Sequence, residues 1–218
     1  MNKEQNSLPS VWKNAWQQPT FKAKFLIGLV VLTGILIIFP YFFQFIESRD
    51  GFVLPDRILN DLPAVNLSLP IFCVIWAMVL ILIIEAVRDP EIFLLFLWAY
   101  IFLNISRITT ISLIPLNPPD NLITLTDPIS NYFYGPSFIT KDLFYSGHTS
   151  TQFLIFLVLK KSKLKNLALL STMLIGLMIL IQHVHYTIDV VMAPFFAFLV
   201  YKLAQHWISP TFQNNYAE

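Results

Sequence analysis

The sequence predicts an all-α, polytopic membrane protein built as a bundle of six transmembrane helices. Three observations predict it. Of 218 residues, 56% are hydrophobic and only 12% charged, a balance that a soluble domain of this size cannot hide in one core. Long stretches carry no charge, and the charges between them are sorted by sign. The third observation is a pair of polar strings at the starts of expected helices, Tyr145-Ser146-Gly147-His148-Thr149-Ser150 and His185-Tyr186-Thr187-Ile188-Asp189-Val190.

Taken in order, residues 1–24 form an N-terminal segment in which Val11, Trp12 and Trp16 punctuate a polar stretch. The two Trp are four apart on one helical face, which suits a helix lying on the membrane surface, with an unstructured tail as the competing reading. Phe25 to Ile46 and Leu62 to Ile84 are free of charge and reach the about 20 residues that a span needs. The first is too long for a signal-peptide core and has no small-residue cleavage site after it, so it is read as a retained anchor. Ile92 to Leu116 is apolar except for Arg107, and Leu143 to Leu159 is about the shortest stretch that can cross. Leu167 to Gln182 and Tyr186 to Leu203 supply the fifth and sixth spans, joined by a short link around His183. The membrane domain is therefore expected over 25–205, followed by a tail over 206–218.

Basic residues favour the cytoplasm. Lys3, Lys13, Lys22 and Lys24 precede the first span, Arg88 separates the second and third, and Lys160, Lys161, Lys163 and Lys165 follow the fourth. All of these fall on one side. The opposite loops carry mostly acids, Glu47, Asp50, Asp56, Asp61, Asp120, Asp127 and Asp142, against Arg49, Arg57 and Lys141. Both termini are expected in the cytoplasm, with the polar strings at the outer face.

His148 and His185 then open two helices that enter from the same side, and Arg107 arrives at that depth near the end of the third. Ionisable residues at membrane depth point to function. Imidazole has an unperturbed pKa of roughly 6.5 and serves as base or acid near neutrality, so a facing pair suits a reaction that needs both roles. His185 and Asp189 are four apart, about one helical turn, so the carboxylate can accept from one ring nitrogen and orient the other. A histidine merely satisfied by a convenient Asp is the structural alternative. Ser146, Gly147 and His148 follow Pro136 and a polar approach, and a helix start gathers free N–H groups where the dipole is positive, which favours phosphate. Gly147 would let a ligand oxygen approach the backbone, and Arg107 could hold two oxygens in a fork.

His183, His185 and Asp189 could also be metal ligands. On a helix, however, residues two apart point about 200° from each other, so His183 and His185 chelate together only in non-helical backbone. No metal or cofactor is expected, and His183 and His206 are read as interfacial residues. Cys73, the one cysteine, sits in an apolar run and has no internal partner for a disulfide. With no repeat, nucleotide-binding glycine loop or basic face, and a formal net charge of +1, nucleic acid is not an expected partner.

The segments Asp142 to Thr149 and His183 to Ala193 resemble the two signature segments of the sphingomyelin synthase branch of the type 2 phosphatidic acid phosphatase superfamily. Arg107-Ile108-Thr109-Thr110, leading to Leu113-Ile114-Pro115, is similar to that branch's arginine segment, and Leu54-Pro55-Asp56 with Asp61 more loosely to its outer-loop segment. The resemblance covers Leu54 to the last helix. It implies six helices, a site open to the outer leaflet, His185 as a nucleophile forming a phosphohistidine, Asp189 as its orienting carboxylate, and His148 as the acid and later base. Arg107, Ser146, Gly147, Asp142 and Tyr186 complete the expected substrate-binding set. Three places depart from the pattern. Ile179 stands where the wider superfamily usually has an arginine, Thr140-Lys141 where the branch usually has Cys-Gly, and Val184 where it has an acid that could contact a cationic headgroup.

The leading expectation is thus a lipid phosphotransferase or phospholipase C-like enzyme, with a phospholipid donor and a ceramide- or diacylglycerol-like acceptor or water. A simple lipid phosphate phosphatase would use the same residues. A small transporter or anion-binding protein is the alternative from another class, and the inverted repeats that would favour it are not visible. Oligomeric state is not legible.

Overall fold

The computed structural model describes residues 8–126 and 139–212; Lys3, Asp127 and Pro136 lie outside them. Helices account for most of the described chain. They are α1 (Leu8–Gln17), α2 (Pro19–Glu47), α3 (Arg57–Asn60), α4 (Ser68–Arg88), α5 (Pro90–Leu113), α6 (Gly147–Val158), α7 (Ser162–Ile181) and α8 (Thr187–Phe212). Among the described residues the only β pairing is one isolated bridge, between Phe52 and Leu116.

Local chemistry sets the helix starts. The Asp89 side chain accepts from the Glu91 N–H and Pro90 occupies the first turn, where its missing donor costs nothing, so α5 begins directly after α4 ends. Ser146 caps α6 in the same way, accepting from the Thr149 N–H. α5 is the hub. It buries Leu94, Leu97, Trp98, Ala99, Ile101, Leu103, Asn104 and Arg107, and it packs on α2, α4, α6 and α8. The outer helices show the reverse pattern: Val30 and Ile37 on α2, Leu80 on α4, Met173 on α7 and Val191 on α8 are exposed. An apolar surface this extensive is incompatible with water and reads as lipid-facing.

Five of these helices, α2, α4, α5, α7 and α8, are long and apolar enough to cross a membrane. The expected fourth span is the exception. α6 has 12 residues, about 18 Å at 1.5 Å per residue against a hydrocarbon core of about 30 Å. The chain reaches it through an extended approach at 139–146 in place of a further helical turn. Irregular backbone at such depth must be satisfied by protein. Here Glu47 accepts from the N–H groups of Thr140 (2.5 Å) and Lys141 (2.7 Å), and the Asp189 carbonyl accepts from the Ser146 N–H at 3.0 Å. Phe144, at φ 115°, makes the turn that brings this approach onto α6.

The loops at the other ends of α2, α5 and α7 close over this approach. Phe52 exchanges backbone hydrogen bonds with Pro115 and Asn117 (3.0 and 2.9 Å), and a Cβ on Gly51 would lie 2.6 Å from the Leu116 carbonyl carbon, so only glycine admits the crossing. At the opposite end, where α4 turns into α5 and α6 into α7, side-chain ion pairs hold the turns together. Lys160 reaches Asp89 (2.7 Å) and Glu91 (2.6 Å), and Lys161 reaches Glu85 (2.8 Å).

Candidate active site

Arg107 lies six residues before the end of α5, about 9 Å into the bundle at 1.5 Å per residue. Its Nη1 donates to the Tyr145 carbonyl at 2.6 Å, its Nη2 to Asp142 Oδ1 at 2.5 Å, and its guanidinium carbon lies 5.4 Å from the centre of the Tyr145 ring. These contacts orient the plane of the guanidinium. A Cβ at Gly147 would sit 2.6 Å from the Arg107 Cζ. The glycine therefore admits the guanidinium, a role that its sequence context does not suggest.

His148 is the second residue of α6, with its ring edge-on to Phe72 at 6.1 Å between centroids. His185 precedes α8 by two residues, so it sits before the helix and not in its first turn. It still meets Asp189: Nδ1 lies 3.2 Å from Oδ2, because the chain is already turning, with the Asp189 N–H bonded to the Tyr186 carbonyl at 3.0 Å. Both side chains are buried, at 3% and 1% exposure. An ionised carboxylate only accepts, so this contact keeps a proton on Nδ1 and leaves the Nε2 lone pair for chemistry. The same Oδ2 accepts from the Tyr186 N–H at 3.3 Å, while Oδ1 has no hydrogen-bond partner among the described residues.

Arg107, Asp142, Gly147, His148 and His185 line one cavity of about 750 Å³, together with Thr151, Gln152 and Val184. Its remaining walls are overwhelmingly apolar. Two residues expected at the site are placed otherwise. The Ser146 hydroxyl is fully buried and accepts from the Thr149 N–H (3.3 Å) and hydroxyl (3.1 Å), so it caps α6 and does not line the cavity. The Tyr186 hydroxyl accepts from the Leu54 N–H at 3.2 Å and donates to the Asn117 carbonyl at 2.9 Å, which ties it into the loop cap. Asp142 lines the cavity as the counter-ion of Arg107.

His183 is also corrected. It is buried at 3% exposure, not interfacial, with φ 56° and its two ring nitrogens 3.0 Å from the Asp120 carbonyl and 3.1 Å from the Leu62 carbonyl. The backbone around it is non-helical, which is the condition under which it could chelate with His185, yet its ring faces two loops and not the cavity. Among the described residues no three His, Cys, Asp or Glu side chains converge as a metal set. Beside it, Gln182 is fully buried, accepts from the Leu67 N–H and donates to the Ser68 hydroxyl and the Ile123 carbonyl.

Two carboxylates hold the site from outside it. Glu47, at the end of α2, grips the approach that carries Asp142. Asp56 accepts from the Thr187 N–H (2.6 Å), the Thr187 hydroxyl (3.0 Å) and the Leu59 N–H (3.0 Å), fastening the start of α8 between His185 and Asp189. Burial pushes the Asp56 carboxyl up, but its bonds to Thr187 and Leu59 outweigh that and hold it below the usual carboxylate range. Neither contact is visible in spacing, since Asp56 and Thr187 are 131 positions apart.

Residues 141–207 match the family model described as PAP2 superfamily C-terminal. The matched segment contains Asp142, His148, His185 and Asp189 but not Arg107, and it supports the type 2 phosphatidic acid phosphatase superfamily and its membrane lipid phosphatases and phosphotransferases. No curated protein and no solved structure matches the chain.

Proposed function

We propose that this is an integral-membrane enzyme of lipid metabolism that transfers a phospho-headgroup from a phospholipid to a lipid acceptor, ceramide- or diacylglycerol-like, or to water, through a phosphohistidine. The observation that carries this reading is one cavity lined at its polar end by the Asp189-oriented His185, by His148 and by Arg107, and along the rest by apolar side chains.

In the first half-reaction the neutral His185 attacks phosphorus through Nε2 while its Nδ1–H stays on Asp189, and the P–O bond to the lipid alkoxide breaks. His148, as imidazolium, gives its proton to that oxygen, so the diacylglycerol leaves neutral. In the second, the now neutral His148 takes the proton of the acceptor hydroxyl, whose oxygen displaces His185 from phosphorus. Both histidines return to their starting states. The Asp189 charge stabilises the phosphorylated ring, which is cationic. Arg107 holds the non-bridging oxygens, and the phosphate competes with Asp142 for Nη2. The scheme routes no step through a metal, and activity that survives chelators is part of it. With water as acceptor and a phosphate monoester as donor, the same steps describe a lipid phosphate phosphatase; the apolar walls, through which a second lipid can approach, favour transfer.

The basic residues support cytoplasmic termini and a site facing the outer leaflet. With cysteines placed at the exposed positions Asn60 and Ser162 in a Cys73→Ala background, an impermeant thiol reagent applied to intact cells should label only the first. For the activity itself, the purified protein is incubated with defined glycerophospholipids, ceramide and diacylglycerol, and products are resolved by mass. A new phospholipid supports transfer, and a free phospho-headgroup or phosphate supports hydrolysis. No change in any lipid would defeat the proposal.

A further inference from the structure

The cavity that holds the histidines does not stop at them. It continues as a groove walled by one face each of α2, α4 and α5, from Phe43, Phe72 and Arg107 at the polar end to Leu29, Val87 and Phe93 at the other. From Arg107 to Phe93 is fourteen residues of one helix, which makes the groove about 21 Å deep at 1.5 Å per residue, against about 15 Å for the hydrocarbon of one leaflet. α2 and α4 both pack on α5 and hardly on each other, which leaves the groove accessible from the side.

A different element packs against the foot. α1 packs on α2, α4 and α5, the same three helices that form the walls. Its Trp12 donates from the indole N–H to the Val87 carbonyl at 2.6 Å and lies edge-on to Phe93 (5.8 Å) and Phe25 (6.4 Å), while Phe25 stacks on Phe93 at 5.0 Å. Val87 and Phe93 are thus both groove lining and footing for α1.

Resting on the function proposed above, the geometry points to α1 as a ruler: one acyl chain of the phospholipid donor lies along α5 with its methyl end against the Trp12–Phe93 floor, and the enzyme selects donors by chain length. The occupant follows from the groove's own chemistry, charged groups that take a phosphate at one end and below them a run of apolar side chains interrupted on α5 only by Asn104 and Tyr100. An extended palmitoyl or stearoyl chain has the groove's depth. Chains in the bilayer are already in an apolar medium, so selection comes from fit and not from burial. A shorter chain leaves part of the groove without partner atoms, and a longer one collides with α1.

The test is a series of donors differing only in acyl length, from octanoyl to behenoyl. Relative kcat/KM should peak at palmitoyl to stearoyl and fall about tenfold at behenoyl, the low end of what misfit in an apolar pocket costs. Phe93→Ala and Trp12→Ala should move the peak to longer chains, and Ala86→Phe, which fills the foot, to shorter ones. Opposite shifts cannot arise from a common folding defect. Independently of turnover, a donor carrying a diazirine at its chain end should crosslink to α1 and to the Val87–Phe93 turn, and one labelled at mid-chain to the middle of α4 and α5. A flat length profile unaltered in all three variants, or chain-end crosslinks confined to the site-end loops, would overturn the ruler. Absence of turnover with every phospholipid would remove the proposed function, and the crosslinks would then decide the groove's occupant alone.

Discussion

At the site end of the bundle, Glu47 and Asp56 are spent on backbone; at the opposite end Glu85, Asp89 and Glu91 face lysines, with Asp89 also capping α5. Glu47 accepts from two N–H groups of the approach to α6, Asp56 from the start of α8, and Asp189 from the Tyr186 N–H. Asp89 and Glu91 instead meet the flexible ammonium of Lys160. A carboxylate that binds N–H groups fixes where the chain runs, whereas a lysine pair tolerates many chain positions and gains little net free energy. The difference falls where the proposed mechanism needs accuracy: around two histidines and an arginine that it brings to phosphorus together.

The largest effects should come from the groups that touch the substrate. Replacing His148 by Ala should slow both half-reactions by about 10² to 10⁴, the usual worth of a general acid and base, and a donor with a better leaving group should partly rescue the first. Burst kinetics with such a donor check this. Arg107→Lys keeps the charge but loses the planar fork that reaches Tyr145 and Asp142 together. Turnover should drop on the order of 10², as when one aimed donor is lost, while membrane insertion measured by protease protection is retained.

The positioning carboxylate should come next. Asp56→Asn keeps one acceptor oxygen and turns the other into an NH2 donor, so it can satisfy only one of the Thr187 and Leu59 N–H groups that the carboxylate serves through separate oxygens, and the loss of such a cap typically costs about 1 kcal/mol. Because the folded-state carboxyl is held below its unfolded value of about 3.9, its stabilisation is full at neutral pH and disappears as pH falls through that value towards the folded one. Thermal melting should therefore show the widest gap between wild type and Asp56→Asn near pH 7, narrowing below about pH 4. The smallest effect is expected at the other end. Burial lowers the Lys160 ammonium, the paired Asp89 and Glu91 more than reverse this, and its pKa ends above the ordinary lysine value. The pair is half exposed, so Lys160→Ala should cost about 0–1 kcal/mol in melting and leave product formation within twofold. A larger loss at Lys160 than at Asp56 would erase the contrast between the two ends.

The sequence reading found the helical class and the long spans, and it singled out Arg107, His148 and His185, which line one cavity, because each leaves a local signal: uncharged runs, and polar residues isolated within them. It placed His185 and Asp189 together through spacing, and that contact is present although His185 lies before the helix. It expected six crossing helices, whereas α6 is short and preceded by extended chain, since hydropathy does not distinguish a buried approach from a lipid-facing turn. It assigned Ser146 and Tyr186 to substrate from their neighbours in the chain, but their hydroxyls are used by Thr149 and by Leu54 and Asn117. Glu47, Asp56 and Gln182 act through partners far away in sequence, and residue type alone carries no trace of such pairs.

The central claim is that His185 carries phosphorus. The purified protein is mixed with a phospholipid labelled in its phosphate, quenched within the first turnover into alkali, where a phosphoramidate survives, and mapped by peptide mass. The account predicts label on His185, absent in His185→Ala and accumulating in His148→Ala when the donor has a good leaving group. Label trapped on any other residue, or steady turnover by His185→Ala, would contradict it.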